Sequence, residues 1–345
     1  MTADDNDRLW RYDRQMRFEP IGRAGQEAIS RASVVVVGCG ALGAVAADML
    51  VRMGVGRTRI VDRDIVELHN LHRQQLFTER DLQEGRPKAV AAEAALRAAN
   101  SEVQVEGIVE DFNYRSAMRL CRGADLIVDG TDNFETRLLI NDVALEMGIP
   151  WFYGGAIGAD GVVKAVVPGK TSCFRCLIED IPDPGDTPTC ETAGVIAPAP
   201  HIVASLQVSL ALRALTGGEL DGNLLVLNAW EPGIRSIAVP RLDACPACVK
   251  GERRFLSGEE AGIADVLCGS KMVQVLPPGG RKMEIDLDAL AAALAGLGKV
   301  SRLRFYLMFD DGSLKFVVFP DGRCLVKGTD DAARARAAVA RYLGG

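Results

Sequence analysis

A doubly wound, Rossmann-like and mostly parallel α/β sheet, with added antiparallel strands and a structural zinc site, followed by a small C-terminal α+β domain, is the fold class this sequence predicts. Three observations predict it. Short aliphatic runs alternate with alanine-rich helical stretches from residue 33 to 154, the pattern of βαβ units whose sheet is covered on both faces. A glycine-rich turn, Gly38-Cys39-Gly40-Ala41-Leu42-Gly43, separates the first run from the first long helix, and a G-x-G-x-x-G turn in that place lets backbone amides approach a phosphate. Two C-x2-C pairs, Cys173/Cys176 and Cys245/Cys248, carry the spacing of a four-thiolate metal site.

In chain order, residues 21 to 31 read as a short helix and Ser33–Val37 as a buried parallel strand. After the glycine turn, a helix over 41 to 53 ends at Gly54 and Gly56, and Thr58–Asp62 is the second strand. Pro87–Asn100 repeats the helix, Glu102–Gly107 is a strand, and Asp125–Asp129 is another that ends in Gly130-Thr131-Asp132-Asn133. A helix from about Thr136 to Gly148 leads into a strand over Pro150–Gly154. Ligands of such sheets bind at the carboxyl ends of the strands, where Asp62 and Asp132 fall. Residues 161 to 168 and 223 to 239 read as antiparallel edge strands, with a helix over His201–Thr216 between them. Each cysteine pair follows one of these strands, so a metal would pin the two ends together. The proline- and glycine-rich stretch 179 to 200, which carries Cys190, reads as a long exposed loop.

The pattern changes after Lys250-Gly251-Glu252-Arg253-Arg254. Strands over 271 to 276 and within 303 to 326, with turns at Asp311-Gly312 and Asp321-Gly322, and helices over 286 to 297 and 330 to 343, make a small α+β unit. The expected domains are therefore 1–255 and 256–345. A net charge of −6 argues against non-specific nucleic-acid binding. No apolar stretch approaches a membrane span. Nine cysteines without a secretory leader point to a reducing, cytoplasmic setting, in which thiols bind metal or do chemistry.

Two sets of residues admit competing readings. The four paired cysteines are one structural Zn2+ site, or else buried packing residues or a redox dithiol. The glycine turn and Asp62 alone suit an NAD(P)-dependent oxidoreductase with structural zinc, because an acidic residue at the end of the second strand can hold a ribose. Arg73 and Lys88 shift the balance: cations beside the strand ends suit a triphosphate, whose departing pyrophosphate needs charge stabilisation that hydride transfer does not. Their alternative is that they are solvated surface charges.

Arg11-Tyr12-Asp13-Arg14-Gln15, the glycine turn, Asp62-Arg63-Asp64, Asn70-Leu71-His72-Arg73-Gln74, Pro87-Lys88, Asp129-Gly130-Thr131-Asp132-Asn133, Thr189–Val195 and the cysteine pairs together resemble the MoeB/ThiF family, prokaryotic relatives of ubiquitin-activating enzymes. The resemblance covers residues 9 to 250. It implies an ATP-dependent adenylyltransferase that activates the C-terminal Gly-Gly carboxylate of a ubiquitin-like sulfur carrier protein of the ThiS/MoaD type. By the same resemblance, Gly38, Gly40, Ala41 and Gly43 lie against ATP, Asp62 holds the ribose, and Asn70, Arg73 and Lys88 meet the phosphates. Asp132 organises Mg2+, with Asn133 near the adenine or ribose. Asp64, His69, Leu71 and His72 complete the candidate nucleotide-binding stretch, with no separate role for either histidine. Arg14 reaches into the other protomer's site, so a homodimer is implied.

Cys190 is the candidate nucleophile toward the acyl-adenylate, giving a thioester or an acyl-disulfide with the carrier; in the alternative, an external persulfide attacks the adenylate directly. Residues 265 to 345 do not resemble a rhodanese domain, and Cys324 stands in a strand-like run. A separate sulfur donor, such as a cysteine desulfurase or a rhodanese, is therefore expected. Molybdopterin, thiamine and tRNA thiolation routes all stay open at this level.

Overall fold

The computed structural model describes residues 8–178, 193–259, 272–277 and 283–343. Cys190 lies outside the described residues.

The first sheet has eight strands: β1 (Ser33–Val37), β2 (Arg57–Val61), β3 (Gln104–Ile108), β4 (Leu126–Asp129), β5 (Trp151–Ile157), β6 (Asp160–Val166), β7 (Leu224–Asn228) and β8 (Gly233–Ile237), in spatial order β3-β2-β1-β4-β5-β6-β7-β8. Pairing is parallel from β3 through β5 and antiparallel from β5 to β8. The chain leaves β1 first toward β2 and later toward β4, so the crevice between the carboxyl ends of β1 and β4 is the topological switch point.

The valine run of β1 shows why the sheet is buried on both faces. Val34 and Val36 pack with the helices Ala41–Arg52, Lys88–Ala99 and Pro198–Leu215, whereas Val35 and Val37 pack with the helix Phe134–Met147 and the cysteine cluster. Period-two alternation sends successive side chains to opposite faces, and each face here meets a helical layer. Among the described residues, no helix is long and apolar enough to cross a membrane.

The second sheet is antiparallel, with β9 (Met272–Val275), β10 (Lys299–Arg302), β11 (Leu307–Asp310), β12 (Lys315–Val318) and β13 (Cys324–Lys327) in the order β10-β11-β12-β13-β9. One face packs on the helices Leu287–Leu294 and Ala332–Leu343. The other meets the segment that follows β2 through a cluster of Ile65, Tyr306, Val317, Phe319 and Leu325.

The departures from the sequence reading have local causes. Pro198 and Pro200 were expected in the loop 179 to 200, but they lie in the first turn of the helix Pro198–Leu215, where the missing N–H leaves no bond unmade. Strand β10 precedes the stretch expected to hold strands, and its helix stops at Leu294, three residues early, ahead of Gly296 and Gly298. The short helix Glu79–Gln83 was not anticipated; Thr78 and Asp81 cap it reciprocally, with Thr78 N donating to Asp81 Oδ2 at 2.9 Å.

Candidate active site and metal centre

Three glycine backbones crowd together at the switch point. Gly38, with φ +84°, leaves β1 in the left-handed region, and a Cβ on it would stand 2.8 Å from Gly130 O. A Cβ on Gly43 would stand 1.9 Å from Gly38 O, and one on Gly130 would stand 2.5 Å from the same oxygen. These glycines let the helix Ala41–Arg52 and the β4 loop close on β1. Gly40 differs: it has φ −81°, and the nearest atoms to an added Cβ are Gln74 Nε2 at 3.8 Å and Gly130 O at 3.9 Å. Internal packing does not require glycine there, and its open face lies at the N-terminus of the helix Ala41–Arg52, where backbone N–H groups can receive an anion.

This contrast makes a prediction. Gly43→Ala is expected to destabilise the protein by about 3 kcal/mol or more through overpacking. Gly40→Ala is expected to cost under about 1 kcal/mol yet raise the KM for the nucleotide about tenfold. Thermal melts and steady-state kinetics on the pair read both effects.

Asp62 follows β2 and is buried; Cys39 N donates to its Oδ2 at 2.6 Å and Asp64 N to its Oδ1 at 2.7 Å. Each oxygen keeps a lone pair, and the carboxylate fixes the glycine turn to the end of β2. Burial pushes its pKa up. Lys88, at the start of the helix Lys88–Ala99, is buried and pairs with Asp64 at 3.1 Å. It is no solvated surface charge. Burial lowers the affinity of Lys88 for its proton, but Asp64, Asp62 and Asp132 together hold its pKa above the usual lysine value. Burial also raises Asp64, yet Lys88 and Arg63 overcome it and hold that carboxyl at about 2.

The strand end of β4 is anchored by a second buried ion pair. Asp129 accepts from Arg137 Nε at 3.2 Å, from Thr131 Oγ1 at 2.7 Å and from Thr131 N at 2.9 Å. Arg137 also donates to Thr131 O at 2.7 Å and lies over the Tyr153 ring. Gln207 donates to Asp129 O and Phe152 O, both at 2.8 Å. The loop is thus clamped, while Asp132 on it is exposed and, among the described residues, has no hydrogen bond or ion pair. Asn133 Oδ1 accepts from Thr136 N at 2.8 Å and so caps the helix Phe134–Met147.

The stretch after β2 separates into three kinds of residue. Asn70 is buried, with Oδ1 accepting from Glu67 N at 3.3 Å; Arg73 is half-buried and donates to His69 O at 2.7 Å. Leu71 packs against the core. His69 and His72 are exposed. Gln74, Arg137 and Gln207 are buried polar residues that the sequence reading did not single out. Gln74 closes the stretch Asn70-Leu71-His72-Arg73-Gln74, its side chain lies beside Gly40, and its Oε1 has no hydrogen-bond partner among the described residues.

Arg14 is not brought to this cluster. It sits in the short helix Asp13–Met16, which is tied to the far end of Ala41–Arg52: Gln15 Nε2 donates to Met53 O at 3.0 Å, and Tyr12 packs on Gly54. That helix has 12 residues, so it spans about 18 Å from the glycine turn to its other end. The Arg14 side chain is 85% exposed.

The four paired cysteines do converge. Cys173 Sγ lies 4.0 Å from Cys176 Sγ and 3.7 Å from Cys245 Sγ, Cys176 Sγ lies 3.6 Å from Cys248 Sγ, and all four lie within 4.8 Å of one another. Tetrahedral Zn–S bonds of about 2.3 Å set sulfurs roughly 3.8 Å apart, so the cluster fits a zinc ion. Desolvation raises the Cys173 thiol, a cost that a bound cation would remove. The first knuckle hangs on the helix Phe134–Met147, where Phe174 N donates to Asn141 Oδ1 at 2.9 Å, and the chain beyond the second knuckle returns to the same helix, where Phe255 N donates to Asp142 Oδ2 at 3.0 Å.

Comparison with known proteins adds the following. The model of the ThiF family matches residues 12–247. The chain is 44% identical over 337 residues to a protein of Bacillus subtilis (strain 168) named sulfur carrier protein ThiS adenylyltransferase, with 97% of this chain and 99% of that one covered. It is 42% identical over 247 residues to the sulfur carrier protein adenylyltransferase of Thermus thermophilus, with 70% and 90% covered. A crystal structure of E. coli MccB with ATP superposes with a TM-score of 0.60 at 24% identity, covering 72% of this chain and 76% of that one, a likeness of fold.

Proposed function

The chain belongs to the ThiF family and is an adenylyltransferase, and on that premise we propose that it activates the C-terminal Gly-Gly carboxylate of a ubiquitin-like sulfur carrier protein with ATP. The observation that carries this reading is the open face of Gly40 on the turn that Asp62 fixes, with protonated Lys88 in the field of Asp62, Asp64 and the free carboxylate of Asp132. A carboxylate oxygen of the carrier attacks the α-phosphorus in line, the bond to the bridging oxygen breaks, and pyrophosphate leaves with the electron pair. Lys88 and Arg73 offset the charge that gathers on the departing group, and the rigid turn holds the nucleotide in line. An exposed carboxylate beside phosphates suits Mg2+, so Asp132 would hold that ion, which would supply further charge neutralisation.

Arg14 acts from a second copy of the chain. Its distance from its own glycine turn supports a homodimer in which each site borrows the partner's arginine. The four-cysteine cluster holds zinc and has a structural role. Cys190 accepts the acyl group from the adenylate, releasing AMP, before a separate sulfur donor such as a cysteine desulfurase or a rhodanese supplies sulfur. Mass spectrometry of the Cys190 thiol after incubation with carrier and ATP tests that step: a carrier adduct supports it, whereas an unmodified thiol with thiocarboxylate formed in the presence of donor would assign the attack to an external persulfide.

The central test is ATP–pyrophosphate exchange. Exchange is expected only with a carrier that ends in Gly-Gly and is expected to vanish when the last glycine is deleted. Exchange that ignores the carrier, or none with any carrier, would refute the assignment.

A further inference from the structure

We infer that the C-terminal domain is a positioning element of the nucleotide site, with Arg323 and Lys327 fixing the segment from Arg63 to Asn70. The inference rests on the functional reading above and extends it to a domain without an assigned role.

On β13 and its approach, residues alternate between two faces. Cys324 and Val326 point to the helices of their own domain, and Leu325 points to the first domain. Arg323, Leu325 and Lys327 form one row, and they meet Arg63, Ile65 and Glu67 in the same two-residue steps. Arg323 Nη1 donates to Arg63 O at 2.6 Å. Leu325 and Ile65 share one buried cluster. Lys327 Nζ pairs with Glu67 Oε1. Arg323 is 3% exposed, and its guanidinium stacks 3.9 Å above the Phe319 ring centroid, which orients the donor.

The gripped segment needs outside support. Between β2 and the turn Leu68–Asn70 its regular structure is a single bridge from Ile65 to Pro87, and irregular segments of that kind open easily unless they are packed. Its two ends carry the site. At one end, Arg63 pairs with Asp111 at 2.6 Å between Asp62 and Asp64, the carboxylates around Lys88. At the other, Glu67 and Asn70 are joined by Asn70 N donating to Glu67 O at 2.9 Å and Glu67 N donating to Asn70 Oδ1. The next contact of the two domains is as close: a Cβ on Gly85 would stand 2.8 Å from both Leu303 Cδ1 and Tyr306 OH. Displacement of β13 therefore moves Asn70 and the Asp64–Lys88 pair together, and small displacements of binding groups are costly in rate.

A charge swap tests this. Lys327→Glu sets two carboxylates against each other and is expected to raise the KM for ATP about tenfold, to leave the KM for the carrier within about twofold, and to speed amide hydrogen exchange in peptides over 62–73 of the nucleotide-free protein. Glu67→Lys combined with Lys327→Glu is expected to restore the KM for ATP and the slow hydrogen exchange. A variant that merely lost folded protein would lower kcat and leave the KM for ATP unchanged. An unchanged KM for ATP with unchanged exchange in Lys327→Glu, or a swap that fails to restore them, overturns the proposal. Absence of carrier-dependent pyrophosphate exchange in the unmodified protein would instead refute the adenylation reading, and the hydrogen-exchange arm would still decide whether β13 holds the segment.

Discussion

Replacing Asp132 by alanine is expected to lower carrier-dependent ATP–pyrophosphate exchange by about 10²- to 10³-fold, the loss that follows removal of one well-placed electrostatic group. The substitution isolates chemistry from folding because of how the loop is built. Asp132 is exposed and takes no part in the bonds that hold it; Asp129, Thr131 and Arg137 set the backbone on one side and the Asn133 cap sets it on the other. The melting temperature and metal content should therefore match those of the unmodified protein. Asp129→Ala would not give this separation, since it strips the buried Arg137 of its anionic partner and costs about 3 to 5 kcal/mol. Exchange by Asp132→Ala within about threefold of the unmodified protein would remove the residue from the catalytic set.

Cys173→Ser is the second large effect, and it falls on stability. The Cys173 sulfur touches two of the other three, Cys176 and Cys245, and is buried. Its loss should release the metal and lower the melting temperature by about 10 °C or more, since metal binding free energy is folding free energy and a kcal/mol is worth roughly 2 to 4 °C in a domain of this size. The damage should spread to the nucleotide loop. Asn141 ties the first knuckle to the helix Phe134–Met147, Asp142 ties Phe255 beyond the second knuckle to it, and Asn133, the residue after Asp132, caps that helix. Metal analysis and a chelator titration followed by melting check the expectation: a protein free of zinc with four reactive thiols and an unshifted melt would show the cluster to be a packing feature.

The parallel half of the first sheet was legible because uninterrupted aliphatic runs such as Val34–Val37 and Leu126–Val128 have one physical use, a strand covered on both faces. The glycine turn was legible for the same reason, though not the separate jobs of its members: Gly43 is required by Gly38 O and Gly40 by nothing among the described residues, a distinction that lives in three dimensions. Pairings across long separations were out of reach. Lys88 was expected beside phosphates, but its bond to Asp64 depends on β2 and the helix Lys88–Ala99 meeting in register. Arg137 carried a faint signal, a cation in a helix rich in apolar residues, which must find an anion if buried. The edge prolines misled because a proline in a first helical turn and a proline in a loop look alike without the helix behind them. Nothing in β13 marked which of its faces met the first domain, since both are lined by hydrophobic residues.

The remoteness of Arg14 from its own glycine turn has a genetic corollary. If every catalytic centre is a composite of two polypeptides, a subunit lacking the arginine and a subunit lacking the Asp132 carboxylate are each inert alone. A mixed pair of them still assembles one intact centre, so inactive alleles of this locus would complement each other when expressed in the same cell.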